Sequence, residues 1–293
     1  MQARSNKKEE KKAALFTETY RGKLFASYEE IIHSPEIDAI YIPLPPALHF
    51  RWAKSALEAG KHVLLEKPAT LNLSETKELI KIASERVLAL HENYMFSFHN
   101  QIAAVNDIIA CGQLGDIRLY RISFGFPRRE KNDFRYNKEL GGGALYDAGG
   151  YTLKYASMLL GSDARLAYAK LNYIDEFSVD VYGCATMIND VGTVAQIAFG
   201  MDNSYRCDLD VWGSIGSLFT GRILTAPDGF TAEAVIKNSS GERKILLPAD
   251  DAFAKSISWF KTCIDNRAKR EESYKAIERQ AGLVEKFVEL SSR

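Results

Sequence analysis

The chain has 293 residues with 38 basic and 38 acidic side chains, so its formal charge is zero and it carries no electrostatic footprint for nucleic acid. Hydrophobic residues make up 46% and charged residues 26%, a soluble globular balance, and no apolar run reaches the ~20 residues that span a bilayer. Cys111, Cys184, Cys207 and Cys263 are far apart with no C-x-x-C pair, which argues against a disulfide framework or structural zinc and fits a cytoplasmic protein.

Met1 to Ser5 runs into a polar segment with no apolar core, so the N-terminus is not a secretory signal. Asn6 to Tyr20 has a helical pattern, with Ala13, Phe16 and Tyr20 on one side, and its Lys/Glu run is a solvated surface. Ser27 and Glu30 form a capping box that starts a second helix. Asp38 to Ile42 is a buried-type strand, Leu48 to Ala59 a helix, and His62 to Glu66 the next strand. Asn72 and Glu75 open a helix that runs to about Ser84, and Val87 to His91 is a further short strand. Strands alternating with helices imply a parallel sheet with crossover connections.

A helix near Gln101–Cys111 ends this rhythm. Ile117 to Phe126 alternates as a strand, a glycine cluster leads into a helix over about 146–160, and seven strands follow. They are predicted at 165–175, 179–188, 192–200, 206–213, 216–222, 231–238 and 243–247. Consecutive strands without helices imply a mainly antiparallel sheet. Helices over 252–265 and 274–290 close the chain. The fold class is therefore α/β: an incomplete Rossmann-type parallel sheet over 1–100, then an α+β unit with a large, mainly antiparallel open sheet over 101–293. The boundary falls within 92–116.

Three segments combine into one candidate site. Ala59-Gly-Lys-His-Val-Leu-Leu-Glu-Lys-Pro68 ends a strand in Glu66 and Lys67, and the carboxyl ends of such strands line the ligand crevice. Tyr41-Ile-Pro-Leu-Pro-Pro-Ala-Leu-His49 is a second strand end with a proline-stiffened turn. Leu140-Gly-Gly-Gly-Ala-Leu-Tyr-Asp147-Ala-Gly-Gly-Tyr151 places Asp147 and Tyr151 four apart, on one helix face. An amine, a carboxylate and a phenol converging on one ligand suit acid/base work on a carbonyl or alcohol. A lysine beside Tyr151 is expected to lower the phenol's pKa. Arg128, Arg129, Lys131 and Arg135 form a basic loop suited to the phosphates of a sugar nucleotide. His91, Glu92 and His99 lack the ligand spacing of a metal site, so no metal is expected.

Pro45-x-x-x-His49, the Glu66-Lys67-Pro68 block and the Gly141–Gly149 block together resemble the glucose-fructose oxidoreductase/inositol dehydrogenase (Gfo/Idh/MocA) family of NAD(P)-dependent enzymes. Gly112–Ile117 and Trp212–Ser217 also match, and the resemblance covers nearly the whole chain. It implies hydride transfer between a nicotinamide and a carbohydrate carbon. It implies that Lys67 binds the reacting oxygen, Asp147 the substrate hydroxyls, and that Tyr151 takes the acid/base position, as in the sugar-nucleotide ketoreductase branch. Pro45, His49 and Glu66 would flank the nicotinamide half, and Asn93 and Tyr94 the ligand. Arg4 and Ser5 align with the strand tip that contacts the adenosine ribose, favouring NADP over NAD. The second unit implies a homo-oligomer formed through the open sheet. The family's Gly-x-Gly-x-x-Gly turn does not occur in the chain, which is expected to be either a fragment or a homologue that no longer holds the dinucleotide in the usual way. A cofactor-deficient sugar-binding or scaffolding homologue, and a lyase or isomerase using the same three residues, are the competing readings.

Overall fold

The computed structural model describes residues 7–292. Helices α1 (Lys7–Tyr20) and α2 (Tyr28–His33) lead into a parallel sheet, β1 (Ala39–Ile42), β2 (His62–Leu65) and β3 (Leu90–Glu92), in that order across the sheet. Ser27 caps α2 by accepting from Glu30 N at 3.1 Å, and the Glu30 carboxylate returns to the Ala26 N–H. The crossovers are α3 (His49–Glu58) and α4 (Leu73–Glu85), the latter capped by Asn72. Leu57, Val63, Leu65, Leu79 and Leu90 are buried between sheet and helices. The third strand begins later than its apolar pattern predicts. Val87 has φ +60 and finishes the exit from α4, so pairing starts only at Leu90.

After α5 (Asn100–Ala110) comes an eight-stranded sheet of β4 (Ile117–Gly125), β5 (Arg165–Tyr173), β6 (Asp180–Ile188), β7 (Val194–Gly200), β8 (Arg206–Gly213), β9 (Gly216–Gly221), β10 (Glu233–Asn238) and β11 (Gly241–Leu246). Its order is β11-β10-β9-β8-β4-β7-β6-β5. Every neighbouring pair is antiparallel except β4 and β7, which are parallel. The chain leaves β4, passes through α6 (Gly150–Leu160) to the β5 edge and returns through β6, so β7 reaches β4 in the same sense. Ile122, Ile197, Leu209 and Val211 point into the core, whereas Tyr168, Tyr182, Trp212 and Phe219 are exposed.

Helices α7 (Ala252–Asp265) and α8 (Arg267–Ser291) tie the two sheets together. Tyr274 and Ile277 of α8 join the core of the first sheet, and Leu283, Val284 and Phe287 that of the second. The last helix starts seven residues before its predicted position because its first turns bury a charge. Arg270 is enclosed, with Nε donating to Cys263 O at 3.1 Å and a terminal nitrogen to Val87 O.

Candidate active site

The site lies where the carboxyl ends of β1 and β2 face the glycine-rich segment before α6. Pro43 and Leu44 follow β1, Glu66 and Lys67 follow β2, and together with Phe134, Arg135 and Gly141–Gly143 they line a cavity of about 160 Å³. Lys67 Nζ donates to Asp147 Oδ1 at 2.8 Å and to the Asp147 backbone carbonyl at 2.8 Å. Arg135 Nε donates to Asp147 Oδ2 at 2.6 Å, and the same guanidinium reaches Asp133. Burial alone would raise the Asp147 carboxyl, but Lys67 and Arg135 outweigh it and hold it at about 2.

The Lys67 ammonium also stands 5.0 Å from the centre of the Tyr151 ring. The structure thus brings Lys67, Asp147 and Tyr151 together, with Arg135 as a fourth member. Asp147 does not share a regular α-helical face with Tyr151. It sits in a wider π turn, Leu145–Gly149, from which α6 continues. Such turns are frequent at functional sites. Gly150 lets α6 sit against Tyr94, whose hydroxyl a Cβ at that position would strike.

Tyr151 corrects one expectation. Its pKa is raised, not lowered, because burial and the carboxylates of Glu66 and Asp147 outweigh Arg135. The ring is enclosed by Tyr94, Phe96 and Phe124, with centroids 5.2–5.7 Å away. Lys67 faces the ring, and among the described residues the hydroxyl's one hydrogen-bond partner is Met95 Sδ, at 3.9 Å. A cation over the π face does not stabilise the phenolate oxygen as a hydrogen bond to it would.

The other predicted residues divide into those at the cavity and those beneath it. Glu66 lines the cavity, and its Oε1 accepts from Tyr41 Oη at 2.7 Å and Asn93 Nδ2 at 2.6 Å. Pro45 starts the short helical turn Pro46–Leu48 that leads into α3. His49 is fully buried beneath that turn, its Nδ1 2.8 Å from Pro68 O and its Nε2 2.6 Å from Leu44 O. It joins the two strand-end turns and does not face the cavity; burial lowers its pKa against the pull of the two carbonyls. Asn93 and Tyr94 are also buried, Asn93 bridging Glu66 and Ser256, Tyr94 reaching Gln280. In the basic loop, Arg128 is held by Glu176 and Asp202 at 2.5 and 2.8 Å. Arg4 and Ser5 lie outside the described residues. His91, weighed as a metal ligand and set aside, has its two ring nitrogens against the Ser273 and Ser256 hydroxyls.

Glu92 was not among the predicted site residues, yet it braces Lys67 from below. Its buried Oε1 accepts from the Ala69 N–H at 2.8 Å, two residues beyond the lysine. Its position at the end of β3, level with Leu65 at the end of β2 and one residue short of Glu66, was the available signal. Burial raises its carboxyl to about 7 despite Lys154. The folded protein therefore holds this proton more tightly than the unfolded chain. The stabilisation is complete below the ordinary value near 4.5 and is lost as pH rises through about 7. Glu92→Gln removes the titration but keeps an acceptor for Ala69. Relative to wild type, the variant is expected to gain on the order of 3 kcal/mol between pH 5 and 8. Melting curves of both proteins across that range check this; a constant gap in Tm contradicts it.

Two family profiles match the chain. An oxidoreductase family with an NAD-binding Rossmann fold (GFO_IDH_MocA) matches residues 4–94, and the GFO/IDH/MocA C-terminal domain matches residues 102–219. The chain belongs to the Gfo/Idh/MocA oxidoreductase family. Among its Gfo/Idh/MocA relatives, the dTDP-3,4-didehydro-2,6-dideoxy-alpha-D-glucose 3-reductase of Actinomadura kijaniata is 37% identical over 94% of this chain and 82% of its own. The enzyme of the same name from Streptomyces violaceoruber is also 37% identical, over 94% and 83%. KijD10, a 3-ketoreductase from Actinomadura kijaniata solved with NADP and TDP-benzene, superposes with a TM-score of 0.90 at 36% identity, over 96% of this chain and 86% of that one. KijD10 has also been solved with a lysine or a tyrosine replaced. Those two positions are separated along KijD10 by the same number of residues as Lys67 and Tyr151 are here.

Proposed function

We propose that this protein reduces a keto group on a nucleotide-linked deoxysugar, with NADPH as hydride donor. The observation that carries the reading is the Lys67–Asp147–Tyr151 cluster at the carboxyl ends of parallel strands, where such folds bind their ligands. Pro43, Leu44 and Glu66 form the strand-end wall of the cavity, and Lys67, Arg135 and Asp147 its polar wall, where a carbonyl oxygen would meet the Lys67 ammonium. Bound NADPH supplies a hydride to the carbonyl carbon. Lys67 holds the carbonyl oxygen and stabilises its developing negative charge. Tyr151 gives that oxygen a proton, so C=O becomes CH–OH. Asp147 aims Lys67, and Lys67 and Arg135 together keep Asp147 ionised. Because its pKa is raised, Tyr151 keeps its proton, the form that reduction requires.

Four free cysteines support a reducing, cytoplasmic setting. Exposed Tyr168, Tyr182, Trp212 and Phe219 on the open sheet face support self-association through that face.

The test is direct. Purified protein is mixed with NADPH and a dTDP-linked 3-keto-deoxysugar, followed by absorbance and mass spectrometry. NADPH is expected to be consumed one-for-one with a product two hydrogens heavier, and NADH less efficiently. Absence of both nicotinamide binding and product overturns the reading.

A further inference from the structure

We propose that Asp180 is a positioning residue for this site: its buried carboxylate holds the turn that carries Asp147 and Tyr151. The proposal deepens the site described above and rests on that reading for its effect on turnover. Asp180 opens β6, 35 residues from the turn it serves, and touches neither Lys67 nor Arg135 among the described contacts. Its side chain is nearly enclosed, at 8% exposure, and Oδ2 accepts from the Leu145 N–H at 2.7 Å. The neighbouring Ala144 N–H also acts on this carboxylate, favouring its charged form against burial.

These two N–H groups begin the helical segment, where backbone donors lack partners within the helix. The segment supplies no side-chain cap of its own: Ala144 stands at the cap position, and neither it nor Gly143 carries a side-chain acceptor. Asp180 does from a neighbouring strand what an N-cap aspartate does locally, and its charge is favourable at that end of a helix. Gly143 leaves room for it. That residue has φ +129, and a Cβ there would collide with Asp180 Oδ1. Burial raises the carboxyl to about 6, so the contact is made at a solvation cost that a free surface aspartate avoids.

Asp147 lies three residues beyond Ala144, and its own N–H donates to Gly143 O at 3.1 Å. The position of its carboxylate under Lys67 therefore depends on where the turn begins. Lys67 and Arg135 hold Asp147 at the side-chain end, and Asp180 holds the backbone end.

Asp180→Ala, Asp180→Asn and Gly143→Ala test this. Amide hydrogen exchange over residues 144–151, measured without substrate, is expected to speed up at least tenfold in Asp180→Ala and Gly143→Ala, with β7 and β8 unchanged. With keto-sugar, kcat is expected to fall about 10- to 100-fold, the effect of roughly an ångström of misplacement, while KM moves less than threefold. Asp180→Asn, which keeps one acceptor, is expected to recover part of the loss. Wild-type exchange and kcat in a folded Asp180→Ala overturn the proposal; if that variant does not fold, Gly143→Ala decides by the same readouts. Wild-type protein that reduces no keto-sugar defeats the functional reading alone, and the exchange result then decides the role of Asp180.

Discussion

Replacing Lys67 by alanine is expected to lower the rate of keto-sugar reduction by about a thousandfold or more, with nicotinamide binding within a fewfold of wild type. Removing one preorganised donor to a developing oxyanion costs about 10²–10³ in kcat. Here the donor is an ammonium only 12% exposed at its side chain, where solvent screening is weak. The substitution also removes one of the two cations that hold Asp147 at about 2. That depressed value means Asp147 stabilises the fold above the ordinary carboxyl pKa near 3.8 and loses this contribution as pH falls through about 2. Lys67→Ala is therefore expected to lose on the order of 1 kcal/mol at pH 7, with Arg135 retaining the rest. Single-turnover NADPH oxidation gives the rate, and a pH series of melting curves gives the stability. A variant that turns over near the wild-type rate places the chemistry away from Lys67.

Strand positions and the capped helix starts at Ser27 and Asn72 were the legible part of this chain. Apolar runs bounded by polar turns located β1, β2 and nearly every strand of the large sheet. Topology then assigned Lys67 to a crevice, because it follows a parallel strand. Long-range partnership was not legible. Nothing in Ile117–Gly125 says that it will insert between β7 and β8 and run parallel to one of them. That outcome depends on where α6 delivers the chain. The inward turn of His49 was hidden for a related reason: its two partners, Leu44 O and Pro68 O, are backbone atoms with no sequence signature. Buried carboxylates mislead in the same way. No sequence signature marks Glu92 and Asp180 as the acceptors of the Ala69 and Leu145 N–H groups that the fold brings against them. The spacing of Asp147 and Tyr151 was visible, but the π turn between them was not, since it arises from packing against the sheet and not from local propensity.

Tyr151→Phe separates chemistry from packing more cleanly than any other change in the site. Among the described residues the phenol oxygen bonds to Met95 Sδ alone, at long range, so its removal leaves no buried donor stranded. Phenylalanine keeps the ring against Tyr94, Phe96 and Phe124 and keeps the face presented to Lys67. The melting temperature is expected to stay close to wild type while kcat for reduction falls about 10²–10⁴-fold, the range of general-acid catalysis. The raised pKa adds a second, independent signature. A phenol perturbed downward by a lysine would begin to lose its proton below pH 10 and bring an alkaline fall in the reduction rate. The enclosed Tyr151 keeps its proton past that pH, so the wild-type rate is expected to show no such limb from this group between pH 7 and 10. Alcohol oxidation needs the opposite form, the phenolate, and its rate is expected to climb steadily over the same interval. Tyr151→Phe should flatten that climb. A rate profile for reduction that bends downward near pH 8 in wild type and straightens in the variant would mean that the phenol is activated by Lys67 after all.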